Sequence, residues 1–221
     1  MKKVLVLHSG GQDSTTCLFW AIKRFEKVYA IGFDYNQKHL IELDHARKIC
    51  LKENIDYKIL NIRGLLNNSA LIEHEKDINK PHNLNNNLPN TFVPGRNALF
   101  LSFACSYGIN NKIYDLVTGV CETDYSGYPD CREEFIYSMQ KTLSLAVDKK
   151  IKIHTPLMKL SKAETWKLAK KLDCLKTIIN DTITDYNGSK IKNEWGYGKL
   201  DNQASILRSK GYYEAKKKNW I

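Results

Sequence analysis

The stretch that decides the fold runs over residues 2–25, KKVLVLHSGGQDSTTCLFWAIKRF. Residues 2–7 are a short run ending in four apolar side chains, the pattern of a strand buried on both faces. Residues 15–25 place Cys17, Leu18, Ala21, Ile22 and Phe25 at helical spacing. Between them lies Ser9-Gly10-Gly11-Gln12-Asp13-Ser14-Thr15. Glycines there let the backbone turn tightly and aim N–H groups at an anion. The helix that follows adds its N-terminal partial positive charge. Ser9, Ser14 and Thr15 supply hydroxyl donors. Asp13 is a poor partner for bare phosphate and makes sense with a Mg²⁺ ion or an N–H orientation task between the two. The G-x-x-x-x-G-K-[ST] spacing is absent, so this is not a Walker loop. Read alone, the segment also fits an ordinary glycine-rich βα turn.

Outward from it, residues 28–33 (VYAIGF) read as a second strand, 44–54 (DHARKICLKEN) as a helix and 56–61 (DYKILN) as a third strand. That β-loop-α-β-α-β order marks a parallel sheet with crossover helices. From 63 to 94 the pattern dissolves into a proline- and asparagine-rich loop, and long loops in compact enzymes tend to be functional. Residues 98–106 read as a buried helix, 113–118 as a fourth strand, 130–145 as a helix and 151–154 as a fifth strand. Residues 161–172 read as a helix opened by a capping box, Ser161 with Glu164. After Leu175 the pattern weakens. The expectation is an α/β fold: a parallel five-stranded doubly wound sheet over residues 1–175, with a small irregular or helical C-terminal appendage over 176–221.

Composition narrows the class. With 221 residues, 43% hydrophobic and 26% charged, the chain is neither disordered nor fibrous. No run approaches ~18 apolar residues, so no membrane span is expected. The apolar run at 4–7 is too short for a secretory signal. Six cysteines are scattered without a C-x-x-C pair, which reads as a reduced cytoplasmic protein without a disulfide framework. The charge of +10 comes from 34 Lys+Arg against 24 Asp+Glu. Lysines are dispersed apart from Lys216, Lys217 and Lys218, so nucleic-acid binding is not expected on charge alone.

The SGGQDS loop after strand one resembles the pyrophosphate loop of the N-type ATP pyrophosphatases. Four further blocks narrow the resemblance: FDYNQKH (33–39), LPNTFVPGRNALFLSFA (88–104), DYSGYPDCREEF (124–135) and TPLMKLSKAETWKLA (155–169). Together they resemble the 7-cyano-7-deazaguanine synthases, the QueC family. The resemblance implies an adenine nucleotide alpha hydrolase-like sheet domain. It also implies a reaction: ATP adenylylates the carboxylate of 7-carboxy-7-deazaguanine, ammonia displaces AMP to give an amide, and a second ATP activates the amide for dehydration to the nitrile. A carboxylate has no leaving group, and AMP supplies one. Such an enzyme needs cations and N–H donors around two anions.

The resemblance places ATP on His8, Ser9, Gly10, Gly11, Gln12, Asp13, Ser14, Thr15, Thr16, Cys17, Leu18, Tyr35, Gly95 and Arg96, with Mg²⁺. Asp13, Ser14, Arg96, Lys159 and Lys162 are its catalytic candidates. Gln37, Asn97, Tyr125, Tyr128, Asp130 and Arg132 are candidates for the deazapurine. The residue types fit. Arg96 follows a Pro-Gly turn at a helix start and suits bidentate anion binding. Tyrosine rings stack on a deazapurine face, and Asp130 suits the paired donors of a guanine-like edge. Lys159 and Lys162 flank a helix N-terminus. Bland readings stand beside these: a surface salt bridge for Arg96, a self-packed tyrosine loop, a plainly capped helix for Ser161 and Glu164, solvated or core roles for His39 and His45, and a packed thiol for Cys131. The family further suggests free ammonia as donor and a homodimer.

The chain departs from the family pattern in three places. The family's C-terminal portion carries four zinc-binding cysteines; here Asp185, Lys199, Asn202 and Ser205 stand in their place. Only Asp185 is a reasonable ligand, so no zinc is expected. A structural zinc contributes roughly 10–16 kcal/mol in small finger peptides, so something must offset it. An aromatic cluster of Trp195, Tyr197, Tyr212, Tyr213 and Trp220 is the expected substitute. Asn36 replaces a glycine, at a turn where Asn tolerates the left-handed region. Cys121-Glu122 replaces Asn and a small residue, and Glu122 near an anionic substrate would alter its recognition. The changed tail and Glu122 motivate one alternative, an enzyme that stops at 7-amido-7-deazaguanine. Two more stand beside it: a binding or regulatory protein that lost catalysis, and a tRNA-acting relative that uses the +10 charge.

Overall fold

The computed structural model describes residues 2–37, 40–66, 81–82, 85–89, 91–123, 128–185 and 187–221. The chain forms β1 (Lys3–Leu7), α1 (Gln12–Ile22), β2 (Lys27–Asp34), α2 (Ile41–Lys52), β3 (Asp56–Asn61), β4 (Pro81–His82), β5 (Asn85–Pro89), α3 (Arg96–Asn110) and β6 (Asp115–Val117). A short 3₁₀ turn (Pro129–Cys131) leads into α4 (Glu133–Ala146), then β7 (Lys152–His154), α5 (Lys162–Lys171), α6 (Leu175–Asp181), β8 (Lys192–Asn193), β9 (Gly196–Tyr197) and α7 (Gln203–Lys217).

The main sheet has the order β3-β2-β1-β6-β7 and every pairing in it is parallel. β1 is central because its side chains are apolar on both faces. Val4 and Val6 join the cluster with α1 and the tail, while Leu5 joins the cluster with α3 and Ile31. From β1 the strands grow outward to β3, then return to β6 on the other side of β1. Such a reversal opens a crevice at the carboxyl ends of the two strands where it occurs.

All five expected strands are present, and the capping box forms: Ser161 Oγ accepts from Glu164 N at 3.3 Å, and Ser161 N donates to Glu164 Oε2 at 2.8 Å. Elements differ where long-range contacts decide. Helix α1 begins three residues earlier than its apolar spacing suggests, because the glycine loop itself enters the helix. Asn36 adopts φ 69°, as a glycine replacement there requires. The loop over 63–94 contains the hairpin β4–β5, antiparallel between Pro81 and Pro89. The appendage is ordered into α6, a small hairpin and α7.

Helix α7 lies against α5. A Cβ at Gly211 would fall 2.6 Å from Lys162 Cγ and 2.9 Å from the Lys162 carbonyl carbon, so the helices meet at contact distance. Trp166 of α5 is fully buried. Its indole N–H donates to Arg208 O at 3.1 Å, and its ring meets Tyr212 edge-on at 5.2 Å. One hydrophobic cluster contains Val4 and Leu18 of the sheet unit together with Ile178, Trp195 and Ala215 of the tail. Replacing Trp166 by Ala should therefore lower the unfolding free energy by about 3–5 kcal/mol. For this chain length that is a fall of roughly 6–20 °C in Tm. In the unsubstituted protein, far-UV circular dichroism and tryptophan fluorescence should report one coincident transition.

Candidate active site

The crevice between β1 and β6 holds a cavity of about 340 Å³. Its wall includes His8, Ser9, Gln12, Asp13 and Ser14 from the first βα turn, and Thr118, Gly119 and Cys121 beyond β6. The turn is shaped by steric exclusion. Gly10 has φ 88°, and a Cβ there would run into the Glu42 carbonyl oxygen and the Ala46 amide of α2. Gly119 faces the turn from β6, where a Cβ would sit 3.1 Å from Ser14 N and from the Asp13 carbonyl carbon. Glycines at both positions leave the start of α1 open at the strand ends.

Ser14 is the hub of the turn. Its Oγ accepts from Ser9 N at 3.2 Å, lies 3.1 Å from Ser9 Oγ and 3.3 Å from His8 Nδ1, and donates to Gly11 O at 3.3 Å. Burial drives the His8 pKa down to about 3, so its ring is neutral. Among the described residues, His8 Nε2, both amide atoms of Gln12 and Thr15 Oγ1 are buried without a partner. His8 and Gln12 line the cavity. Buried polar atoms without partners are costly, and a ligand bringing phosphate oxygens and ring nitrogens suits them. ATP therefore fits this set.

Asp13 is held by Lys162, whose ammonium lies 2.9 Å and 3.2 Å from its two oxygens. Both line the cavity. Arg96 opens α3 behind Gly95, which has φ 71°. Burial works against the Arg96 charge, yet the Tyr35, Tyr128 and Asp130 side chains outweigh it and hold the guanidinium more firmly protonated than usual. Tyr35, Gln37, Asn97 and Tyr128 join Arg96 in the wall, with Phe33 and Phe100 stacked at 4.2 Å beside them. Gln37 folds back on its own turn, donating to Phe33 O at 3.2 Å and accepting from Tyr35 N at 3.0 Å. The hydroxyls of Tyr128 and Thr91 bond at 2.7 Å.

Other candidates stand elsewhere. Asp130 is buried outside the cavity wall, its carboxylate accepting from the Asn97 amide at 3.0 Å at the start of α3. Arg132 is exposed. Lys159 is exposed and bridges Glu122 and Glu133; none of the three lines the cavity. Glu122 thus faces a lysine rather than the wall. Thr15, Thr16, Cys17 and Leu18 are fully buried on α1 behind the turn, with Thr16 Oγ1 donating to Gln12 O at 2.9 Å. Gly10, Gly11 and Gly95 shape the turns without lining the wall. Tyr125 and His39 lie outside the described residues. His45 Nδ1 donates to Asp181 O at 2.6 Å, a structural hydrogen bond between α2 and the end of α6.

Sequence reasoning missed Gly119, Glu42, Thr184 and Arg208 as members of the site and read Asp185 only as a former metal position; all five line the cavity. Glu42 is half-buried, and its pKa is pushed up to about 8 by burial, with Arg96 opposing and Asp185 adding to the rise. No local pattern marks it, because it enters through the packing of α2 on Gly10.

The four positions expected to replace zinc ligands do come together, around a carboxylate. Asp185 accepts from Asn187 N at 2.8 Å, Ser189 N at 3.2 Å, Lys199 N at 2.8 Å and Ser205 Oγ at 2.7 Å. Asn202 Oδ1 accepts from Ser205 N at 3.2 Å. With its lone pairs engaged and amide, ammonium and hydroxyl groups around it, this set does not fit a zinc ion. The tail is held by this hub as well as by aromatics. Trp195 is buried and Tyr212 packs on Trp166, whereas Tyr213 is exposed.

Over residues 3–216 the sequence matches the queuosine biosynthesis protein QueC family. The chain belongs to that family. It is 47% identical to a 7-cyano-7-deazaguanine synthase of Clostridium novyi, over 97% of this chain and 96% of the relative. It is 48% identical to a synthase of the same name from Clostridium acetobutylicum, over 98% and 96%. One from Staphylococcus epidermidis is 50% identical over 85% and 83%. A solved 4-thiouridine synthetase–RNA complex with bound ATP shares the fold, with TM-score 0.52, 16% identity, and coverage of 96% of this chain and 53% of that one. The QueC motifs at the first βα turn and at the start of α3 are thus the two sides of the cavity.

The four donors on Asp185 outweigh the effect of burial and hold its carboxyl below the usual carboxylate range. Its contribution is therefore fully present above the unfolded pKa of about 3.9. It is lost as pH falls through the lower native value. Asp185→Asn should cost roughly 3 kcal/mol at pH 7, and urea midpoints of variant and parent should converge as pH falls through the lowered native value of Asp185.

Proposed function

We propose that this chain makes 7-cyano-7-deazaguanine from 7-carboxy-7-deazaguanine, ammonia and two ATP. The observation that carries the reading is the open start of α1 between Gly10 and Gly119, with unpartnered buried polar groups and Lys162 facing one cavity. Family membership and relatives named for this product support it. No feature of the cavity favours a reaction that ends at the amide.

The chemistry follows from the groups present. The substrate carboxylate attacks the α-phosphorus of ATP and pyrophosphate leaves. The Asp13 and Ser14 N–H groups at the start of α1 and the Ser9 hydroxyl would face the phosphates and stabilise charge as it moves onto pyrophosphate. Lys162 adds a cation held in place by Asp13. A Mg²⁺ ion fits the same corner, where Asp13 would hold it and it would neutralise phosphate charge. Ammonia then attacks the acyl carbon and AMP departs, leaving the amide. In the second round the amide oxygen attacks a new α-phosphorus and a second pyrophosphate leaves; loss of AMP and of the two N–H protons then gives the nitrile.

Arg96, beside Tyr35 and the Phe33–Phe100 pair, sits where a flat ring and its acid group would meet a cation. Tyr128, Gln37 and Asn97 complete that wall, while Asp130 acts by fixing Asn97. No helix of the described residues is long and apolar enough to cross a membrane, and all six cysteines are free thiols. A cytoplasmic homodimer that needs no zinc and does not act on nucleic acid completes the reading.

Asp13→Ala should fold yet release pyrophosphate at least ~100-fold more slowly than the parent, by coupled assay with ATP and the carboxylated base. Wild-type turnover in that variant would refute the role of the loop. With excess ATP and ammonia the end product should have the mass of the nitrile.

A further inference from the structure

The first amide of α1 is capped from the far end of the chain. Gln12 N donates to Thr184 Oγ1 at 3.0 Å, and Ile183 N donates to Gly10 O at 3.3 Å. The same Thr184 oxygen accepts from Arg208 Nη1 at 3.1 Å. Thr184 has two lone pairs and both are then engaged, so its own proton is left to donate. Thr184 lines the cavity.

Arg208 stands behind it, fully buried and also part of the wall. Its Nε donates to Trp195 O at 3.0 Å and its Nη2 to Ile178 O at 2.8 Å. Among the described residues no carboxylate forms an ion pair with it. A buried guanidinium held by neutral oxygens keeps its charge unbalanced, at a cost to the empty protein. Burial pulls its pKa down to about 10, with only Asp13 acting in the other direction. A second, independent sign of a ligand is the Gln12 side chain, 1% exposed, with both amide atoms unpartnered in the same wall.

We infer that the C-terminal tail supplies part of the anion site: Thr184 Oγ donates to a phosphate oxygen of the pyrophosphate moiety, and Arg208 positions Thr184 and contributes the charge that this anion balances. Thr184 is then a binding residue and Arg208 a positioning residue. The inference rests on the nucleotide reading above and extends it to the C-terminal segment.

The test uses the full chain with inorganic pyrophosphate and ATP as probes, titrated calorimetrically with Mg²⁺, and steady-state KM for the carboxylated base. Thr184→Val should weaken both probes by about 10- to 100-fold. Thr184→Ser should restore them to within about threefold, because it returns the hydroxyl. KM for the carboxylated base should stay within about threefold in both. Arg208→Met should weaken pyrophosphate in the same direction; where that variant fails to fold, the Thr184 pair decides. Pyrophosphate binding by Thr184→Val equal to that of a binding-competent parent would overturn the inference alone. Equal losses for both anion and base would also overturn it, as the mark of a merely structural role. A parent that binds neither probe would overturn the nucleotide reading, and this inference with it.

Discussion

Everything at the carboxyl edge of the sheet depends on how closely other backbones approach one turn. Gly10 touches the first turn of α2, and Gly119 lies against the start of α1. A methyl group at Gly10 would strike backbone atoms, and one at Gly119 would crowd them; backbone does not move aside as a flexible side chain does. That closeness sets the start of α1 at the gap between β1 and β6. It also leaves several polar atoms without internal partners, a state a folded protein tolerates chiefly where a ligand completes it.

The electrostatics of the cavity follow from which charges have already been satisfied. Asp13 is tied to Lys162, and Asp185 is saturated by four donors. Glu42 is the wall carboxylate whose burial lifts it towards neutrality. Arg96 and Arg208 carry charge into the same space from opposite sides of the sequence. A site arranged in this way favours an anionic ligand and holds its own acids away from it, by pairing or by hydrogen bonding.

The tail shows one structural task met by different chemistry. Where the family resemblance led to an expectation of aromatics in place of a metal, a carboxylate hub does much of the organising. Asp185 gathers the loop at 187–189, Lys199 and Ser205, and Arg208 ties α7 to the end of α6 and to Trp195. Trp166 and Tyr212 contribute the apolar part. The result joins the tail to α5, whose first residue is Lys162, so the same packing that stabilises the tail also places a cation in the cavity.

From the residues alone, the parallel α/β class, the five strands of the main sheet and the first βα turn were legible, because those signals are local. An apolar run four residues long, a pair of glycines and a capping box act through neighbours in the chain. Family motifs added Arg96, Lys162 and Tyr128, which the structure brings to one wall, and also Lys159, Arg132 and Asp130, which it places outside that wall. Strand order, the hairpin between Pro81 and Pro89, and the ordering of the tail were left to tertiary structure. So were Glu42, Gly119, Thr184 and Arg208 as members of the site. Their side chains and backbone meet the turn across separations as long as 172 residues, in the bond from Gln12 to Thr184. Only packing sets such a contact: no periodicity or spacing along the chain encodes which distant hydroxyl will find an unpaired amide.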